Sequence, residues 1–183
     1  MSAVSRVPRF VRQRAELDAL LERLPLLPCT HCGRCGNLIG HGLLHGYAEH
    51  GSGRVTRGRR ILCSNRGRKR GCGRTVSTLL SRFVQRSIVA AATLWTLFCG
   101  LAEGLSVERA AQHAHFPQTL RSAYRTAAAL QRNALGWRSW LSTKKPAASA
   151  STRPLGQLRE HLTHALGQNP FEHRQFRNAV RLR

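Results

Sequence analysis

The sequence predicts a mainly α-helical protein with one small β segment, and three observations lead there. Residues 9–24 and 79–141 carry apolar side chains at helical spacing. Residues 26–78 lose that period and are rich in glycine, cysteine and histidine. A Pro-, Ser- and Ala-rich run over 142–154 then separates a last helical stretch from the rest. The expected order is an N-terminal helix within 1–25, a small β domain over 26–78, a helical domain over 79–141, a linker over 142–154 and a C-terminal helical segment over 155–183.

Taken in order, RFVRQRAELDALLERL (9–24) spaces Phe10, Leu17, Leu20, Leu21 and Leu24 along one helix face, and Pro25 and Pro28 end the helix. Within 26–78 the strand-like runs are short, at 60–62 and 75–77. The most apolar stretch, 88–102, falls short of the roughly 20 residues a membrane span needs and reads as a buried core helix containing Cys99. Gly104 is a stop and Ser106 an N-cap for a helix over 107–114, in which Ala110 and Ala111 permit close helix contact. His115-Phe116-Pro117 is a short break before a second helix, from Gln118 to about Arg132. That helix is expected to turn Leu120, Tyr124, Ala127 or Ala128, and Leu130 or Gln131 inward. Gln118, Thr119, Arg121, Ser122 and Arg125 then face away. Past the linker, 155–167 is an amphipathic helix ended by Gly167, and a shorter one is expected near Phe171–Val180.

The charge balance narrows the function classes. Thirty basic and eight acidic residues give a formal charge of +22. No acidic residue lies between Glu49 and Glu103, while eleven basic residues fall between Arg54 and Arg86. A field of one sign this dense attracts polyanions, and nucleic acid is the expected partner. The N-terminal MSAVSRVPRF lacks the apolar run of a secretory signal, so the expected location is cytoplasmic, associated with the nucleoid and with no membrane partner.

Six cysteines in a reducing compartment point to metal rather than to disulfides. Cys29-Thr-His-Cys32-Gly is a turn that presents two thiolates, and Cys72-Gly73 repeats its end with Cys63 as the available partner. Cys29, Cys32, Cys63 and Cys72 are therefore the expected ligands of a structural Zn2+ in a zinc ribbon, which would stabilise a segment with little core of its own. Eight residues separate Cys63 from Cys72, where two separate Cys29 from Cys32. Cys35 is a competing ligand, and His31, His41 and His45 are spare ones. A catalytic zinc is disfavoured, because Glu49 is the only acid nearby. The long interval carries Arg66, Arg68, Lys69 and Arg70, with Arg74 just beyond it, as expected phosphate contacts. In the helical domain a short helix, a turn and an arginine-bearing helix make a helix-turn-helix. Its exposed Arg121 and Arg125 suit guanine, its Gln118 suits adenine, and Thr119 and Ser122 lie on the same face.

CTHCG…RRILCSN…GCGRTVS followed by GLSVERAAQHA…TLRSAYR resembles the N-terminal region of bacterial insertion-sequence transposases, over about residues 26–135. That region pairs a zinc ribbon with a helix-turn-helix that recognises transposon ends. The resemblance implies zinc on Cys29, Cys32, Cys63 and Cys72 and double-stranded DNA as the partner. The sequence departs from the pattern at Thr30, at Val76 and in the long Cys63–Cys72 interval. The catalytic part of such an enzyme needs three carboxylates, and this chain has one aspartate, Asp18, so no enzymatic activity is expected. His113-Ala-His115 with Tyr124 has the residue types of a tyrosine-dependent nuclease, but in a helical context. The alternatives are an adaptor that contacts a transposase or other protein in a transposition or transcription complex, and an RNA binder. The absence of aromatics between Tyr47 and Phe83 disfavours stacking on single strands.

Overall fold

A computed structural model describes residues 7–48, 53–84, 87–143, 149–173 and 176. The architecture is mixed α/β: an N-terminal helix, a four-stranded mixed sheet and four further helices. The chain divides into two compact units, Met1–His45 with Thr56–Ser81, and Gly46–Val55 with Arg82–Arg183.

In the first unit, β1 (Phe10–Val11) leads into α1 (Arg14–Arg23). The expected helix over 9–24 therefore starts later. Phe10 and Val11 pair in parallel with Leu79 and Leu80 instead, because the backbone around them bonds to the sheet edge, from Leu79 N to Arg9 O and from Ser81 N to Val11 O. Glu16 reaches back to accept from the Arg12 N–H at 3.1 Å, which satisfies a donor at the helix entrance. Leu17 and Leu20 are buried, and a single 3-10 turn at Leu24–Leu26 follows Arg23.

Strands β2 (Leu38–Tyr47) and β3 (Arg54–Cys63) are ten residues each, far longer than the runs legible at 60–62, and β4 (Thr75–Leu80) completes the sheet. The strand order is β1-β4-β3-β2, and β3 runs antiparallel to β4 from Gly58↔Leu79 to Leu62↔Thr75. Glycine, histidine and arginine dilute the alternation that would announce β2 and β3, and half of β2 is exposed. The buried cluster here is small: Val7, Leu20, Leu24, Leu27, Leu38 and Ile61, together with Cys29 and Cys63. Two of the expected metal ligands are thus also core side chains.

The second unit is built on α2 (Ala91–Glu103), α3 (Val107–His113), α4 (Leu120–Ser142) and α5 (Pro154–Leu166). α2 is the apolar helix of the sequence; Leu94, Leu97 and Phe98 are fully buried in it, and no helix among the described residues is long and apolar enough to cross a membrane. It ends at Gly104, and Ser106 caps α3 by accepting from the Arg109 N–H. Ala110 approaches Gly100 closely, which the small side chains on both helices permit. At the far end of α3, His115 adopts φ +46° while Phe116 N donates to Ala111 O, a closing turn that stops the helix.

α4 departs from expectation in length and register, running from Leu120 to Ser142 rather than ending near Arg132. Ala123, Ala127, Leu130, Ala134, Trp137 and Leu141 are buried, whereas Leu120 and Tyr124 are 44% and 51% exposed. Alternating spacings of three and four from Ala123 to Leu141 continue over five turns, and this longer stripe wins over the short Leu120–Tyr124 pair. α5 buries Leu158, His161 and Leu162 in the same unit, and Arg138 Nη2 donates to Gln157 Oε1 at 2.6 Å. Phe171, Phe98, Trp137 and Phe176 make edge and stacked contacts at 5.3–6.1 Å between ring centres. After Pro170 the structure shows a 3-10 turn, Pro170–Glu172; most of the expected helix near Phe171–Val180 lies outside the described residues.

Leu130 is fully buried in this helical core. Leu130→Ala should lower unfolding stability by about 2–5 kcal/mol, read by urea titration of tryptophan fluorescence. A change under about 1 kcal/mol would contradict the packing register of α4.

Candidate functional site

Cys29, Cys32, Cys63 and Cys72 place their Sγ atoms within 4.8 Å of one another. Cys29 and Cys72 approach to 3.8 Å, and so do Cys32 and Cys63. A tetrahedron of sulfurs around a cation, with metal–sulfur bonds of about 2.3 Å, has edges of about 3.8 Å. The donor set and its spacing therefore fit a structural metal site. Cys29 and Cys63 are buried, and Cys32 and Cys72 lie at the surface.

Each pair is held by the same backbone scheme. In the first turn, Cys29 N donates to Arg34 O at 3.0 Å and Gly33 N donates to Cys29 O at 2.9 Å. In the second, Cys63 N donates to Arg74 O at 2.9 Å and Gly73 N to Cys63 O at 2.8 Å. Gly33 and Gly73 both take left-handed φ, +72° and +70°, which residues with a Cβ adopt only with strain. Backbone N–H groups also point at sulfur, from His31 to Cys29 at 3.4 Å and from Cys72 to Cys63 at 3.3 Å. Such bonds favour thiolate over thiol.

The long Cys63–Cys72 interval is accommodated by a neck. Gly71 N donates to Ser64 O at 2.7 Å, so residues 65–70 leave and re-enter the turn at adjacent points. A Cβ on Gly71 would collide with the Ser64 carbonyl and lie 2.6 Å from Cys63 Sγ, so this position requires glycine. The loop is then clamped to the segment that follows the first turn. Arg70 N donates to Asn37 Oδ1 at 2.8 Å, Lys69 Nζ to Gly36 O at 2.7 Å, and Arg34 Nη1 to Arg70 O at 2.5 Å. Ser64 N donates to Asn37 O at 2.8 Å.

The electrostatics follow from this packing. Burial opposes ionisation of Cys29, but the N–H groups of Cys32 and His31 outweigh it and bring its thiol down to about 7. Burial, with the neighbouring sulfurs Cys29, Cys32 and Cys72, pushes Cys63 up to about 12 despite the Cys72 N–H. Four thiols this close resist becoming four anions, and a divalent cation removes that penalty.

Of the sequence-predicted residues, the structure gathers the four cysteines and leaves Cys35 exposed outside the cluster. Arg66, Arg68, Arg70 and Arg74 are exposed around the second turn, while Lys69 is half-buried by its bond to Gly36. In the helical unit, Thr119 caps α4: its Oγ1 accepts from Ser122 N and lies 3.2 Å from Ser122 Oγ. Arg121 and Arg125 are exposed on the first turns of α4, and Gln118 is half-buried beside a shallow cleft of about 290 Å³ floored by Ala111, Phe116 and Ala123. Sequence reasoning missed Arg34, Asn37 and Ser64 as the clamp on the basic loop. Their only signal is the Gly36-Asn37 pair directly after the first cysteine turn. It missed the exposure of Leu120 and Tyr124 as well.

The four-sulfur geometry predicts one bound metal ion per chain, measured by elemental analysis of purified protein. Cys72→Ser should abolish stoichiometric binding, and Cys35→Ser should retain it. Gly71→Ala should also weaken metal retention, measured by competition with a chelator, because its methyl group displaces Cys63 Sγ.

Comparison with known proteins adds no homologue: no family model, no curated protein and no solved structure matches the chain.

Proposed function

We propose that this chain is a non-catalytic, zinc-stabilised protein that binds double-stranded DNA, similar in role to the end-recognition part of a transposase. The observation that carries the reading is the second cysteine turn, where a neck at Ser64 and Gly71 projects a loop bearing exposed Arg66, Arg68 and Arg70 from a four-sulfur site. Zn2+ is the cation that fits four thiolates in a tetrahedron, and Cys29, Cys32, Cys63 and Cys72 would hold it. Bound there, it supplies structure: it cross-links the two turns and neutralises the sulfurs. The protein's own residues do the rest. Arg66, Arg68 and Arg70 meet phosphates without reading sequence, and Arg74 stands beside them.

α3, the turn and α4 form a helix-turn-helix in this reading, with the start of α4 as the reading element. Arg121 and Arg125 offer bidentate donors to guanine, and Gln118 offers its amide to adenine. Thr119 and Ser122, engaged in the cap, can still present their hydroxyls to backbone phosphates. The absence of any acidic residue from α4 supports this face as an anion-facing one.

The test is duplex binding of the metal-loaded protein across salt concentrations. Affinity should fall steeply with salt, and replacing Arg66, Arg68 and Arg70 together by alanine should reduce the log–log slope by about 3 and weaken all sequences alike. Arg121→Ala should instead change which sequence is preferred, at a cost of about 1–3 kcal/mol on the favoured site. Binding only in the presence of a second protein would replace this reading with an adaptor role, and preference for single-stranded or RNA competitors would replace duplex DNA as the ligand.

A further inference from the structure

The first turns of α4 expose two apolar side chains where the helical core has no use for them. Leu120 and Tyr124 stand one turn apart, and Arg121 and Arg125 stand beside them, roughly 100° further round the helix. All four are exposed: Arg121 and Arg125 lie opposite the buried stripe of Ala123, Ala127 and Leu130, and Leu120 and Tyr124 lie at its flank, between the stripe and the arginines. The patch is thus half apolar and half cationic at one end of a helix without a carboxylate. A protein partner complementary to it would need acidic groups interleaved with apolar ones. The major groove offers that combination in a regular form. Thymine presents its methyl group there, guanine presents two acceptors, and the phosphates on either side are anionic.

We infer that Leu120 and Tyr124 read thymine methyl groups, so that the target duplex carries thymine next to the guanines met by Arg121 and Arg125. This rests on the duplex-DNA reading and deepens it, because it names the base composition of the site. Leu120 lies at the lip of the cleft floored by Ala111, Phe116 and Ala123, which backs its side chain with apolar surface. Tyr124 adds a ring face to the same strip and a hydroxyl that can reach a phosphate oxygen. Glu108, on α3, is the one carboxylate lining that cleft.

The experiment selects preferred duplexes from a randomised pool with the zinc-loaded full chain, then replaces single thymines in the selected site by deoxyuridine, which removes only the methyl group. Recovered sites should contain thymine adjacent to guanine. A single replacement should weaken binding of the wild-type protein about fourfold, the effect of one lost buried methyl group. Leu120→Ala or Tyr124→Ala should keep duplex binding and lose that sensitivity at one thymine each. Both side chains are at the surface, and the uracil swap needs no variant at all. Selected sites without thymine, or uracil replacement without effect on the wild type, overturn the inference while leaving the duplex reading intact. Absence of salt-sensitive duplex binding overturns both. Loss of self-association in Leu120→Ala, with base preference unchanged, assigns the patch to a second copy of the chain and overturns it as well.

Discussion

Four sulfur atoms within 4.8 Å of one another set the terms for the first unit. Two of them, on Cys29 and Cys63, are buried among Leu20, Leu24, Leu27, Leu38 and Ile61. That core is small, and a unit of this size is marginal on apolar burial alone. Two of the sulfur pairs stand at the edge length of a metal tetrahedron, and the backbone N–H groups around Cys29 already favour its ionised form. A metal held by these four sulfurs would bind as the unit folds, because the unfolded chain has no preformed site. Sheet, helix and cysteine turns all connect through this point: β3 ends at Cys63, β4 starts just past Cys72, and the first turn follows α1.

The long interval between Cys63 and Cys72 is a consequence of the same constraint. A metal turn demands particular backbone bonds, not a particular number of intervening residues. Both turns close with the glycine after the second cysteine donating to the carbonyl of the first, whether two residues or eight lie between. The extra six are spliced in at the Ser64–Gly71 neck, where a single hydrogen bond and a missing side chain leave the sulfur positions unchanged. The clamp formed by Arg34, Gly36 and Asn37 then converts a flexible insertion into a positioned one. It also consumes the ammonium group of Lys69, so the three arginines are the freer donors of the loop.

The four-cysteine cluster was legible in the sequence because cysteine with a following glycine is a local chemical signal, independent of what surrounds it. Helix starts and stops were legible for the same reason: Gly104, Ser106, the break at His115 and Gly167 act within a turn of themselves. The sheet was much less so. β2 and β3 contain few of the residues that mark strands, and half of β2 is exposed, so pairing partners far along the chain decide their state. β1 is the extreme case. Phe10 fits a helical pattern with Leu17, yet the edge of β4, about seventy residues later, claims it together with Val11.

α4 shows how such long-range selection also bears on function. Two apolar stripes compete on one helix, Leu120 with Tyr124 and Ala123 with Ala127, Leu130, Ala134, Trp137 and Leu141. Judged by side-chain size near the N-terminus, the first stripe should be buried. The second wins because it extends to the aromatic cluster around Trp137 and because Ala123 and Ala127 belong to the same buried cluster as Ala110 and Ala111 of α3. Burying the alanines costs little apolar area, and it releases a leucine and a tyrosine to the surface. A surface that only had to stay soluble would carry polar residues there, as the neighbouring positions do. The register of α4 is what places these two large apolar groups outward, beside Arg121 and Arg125.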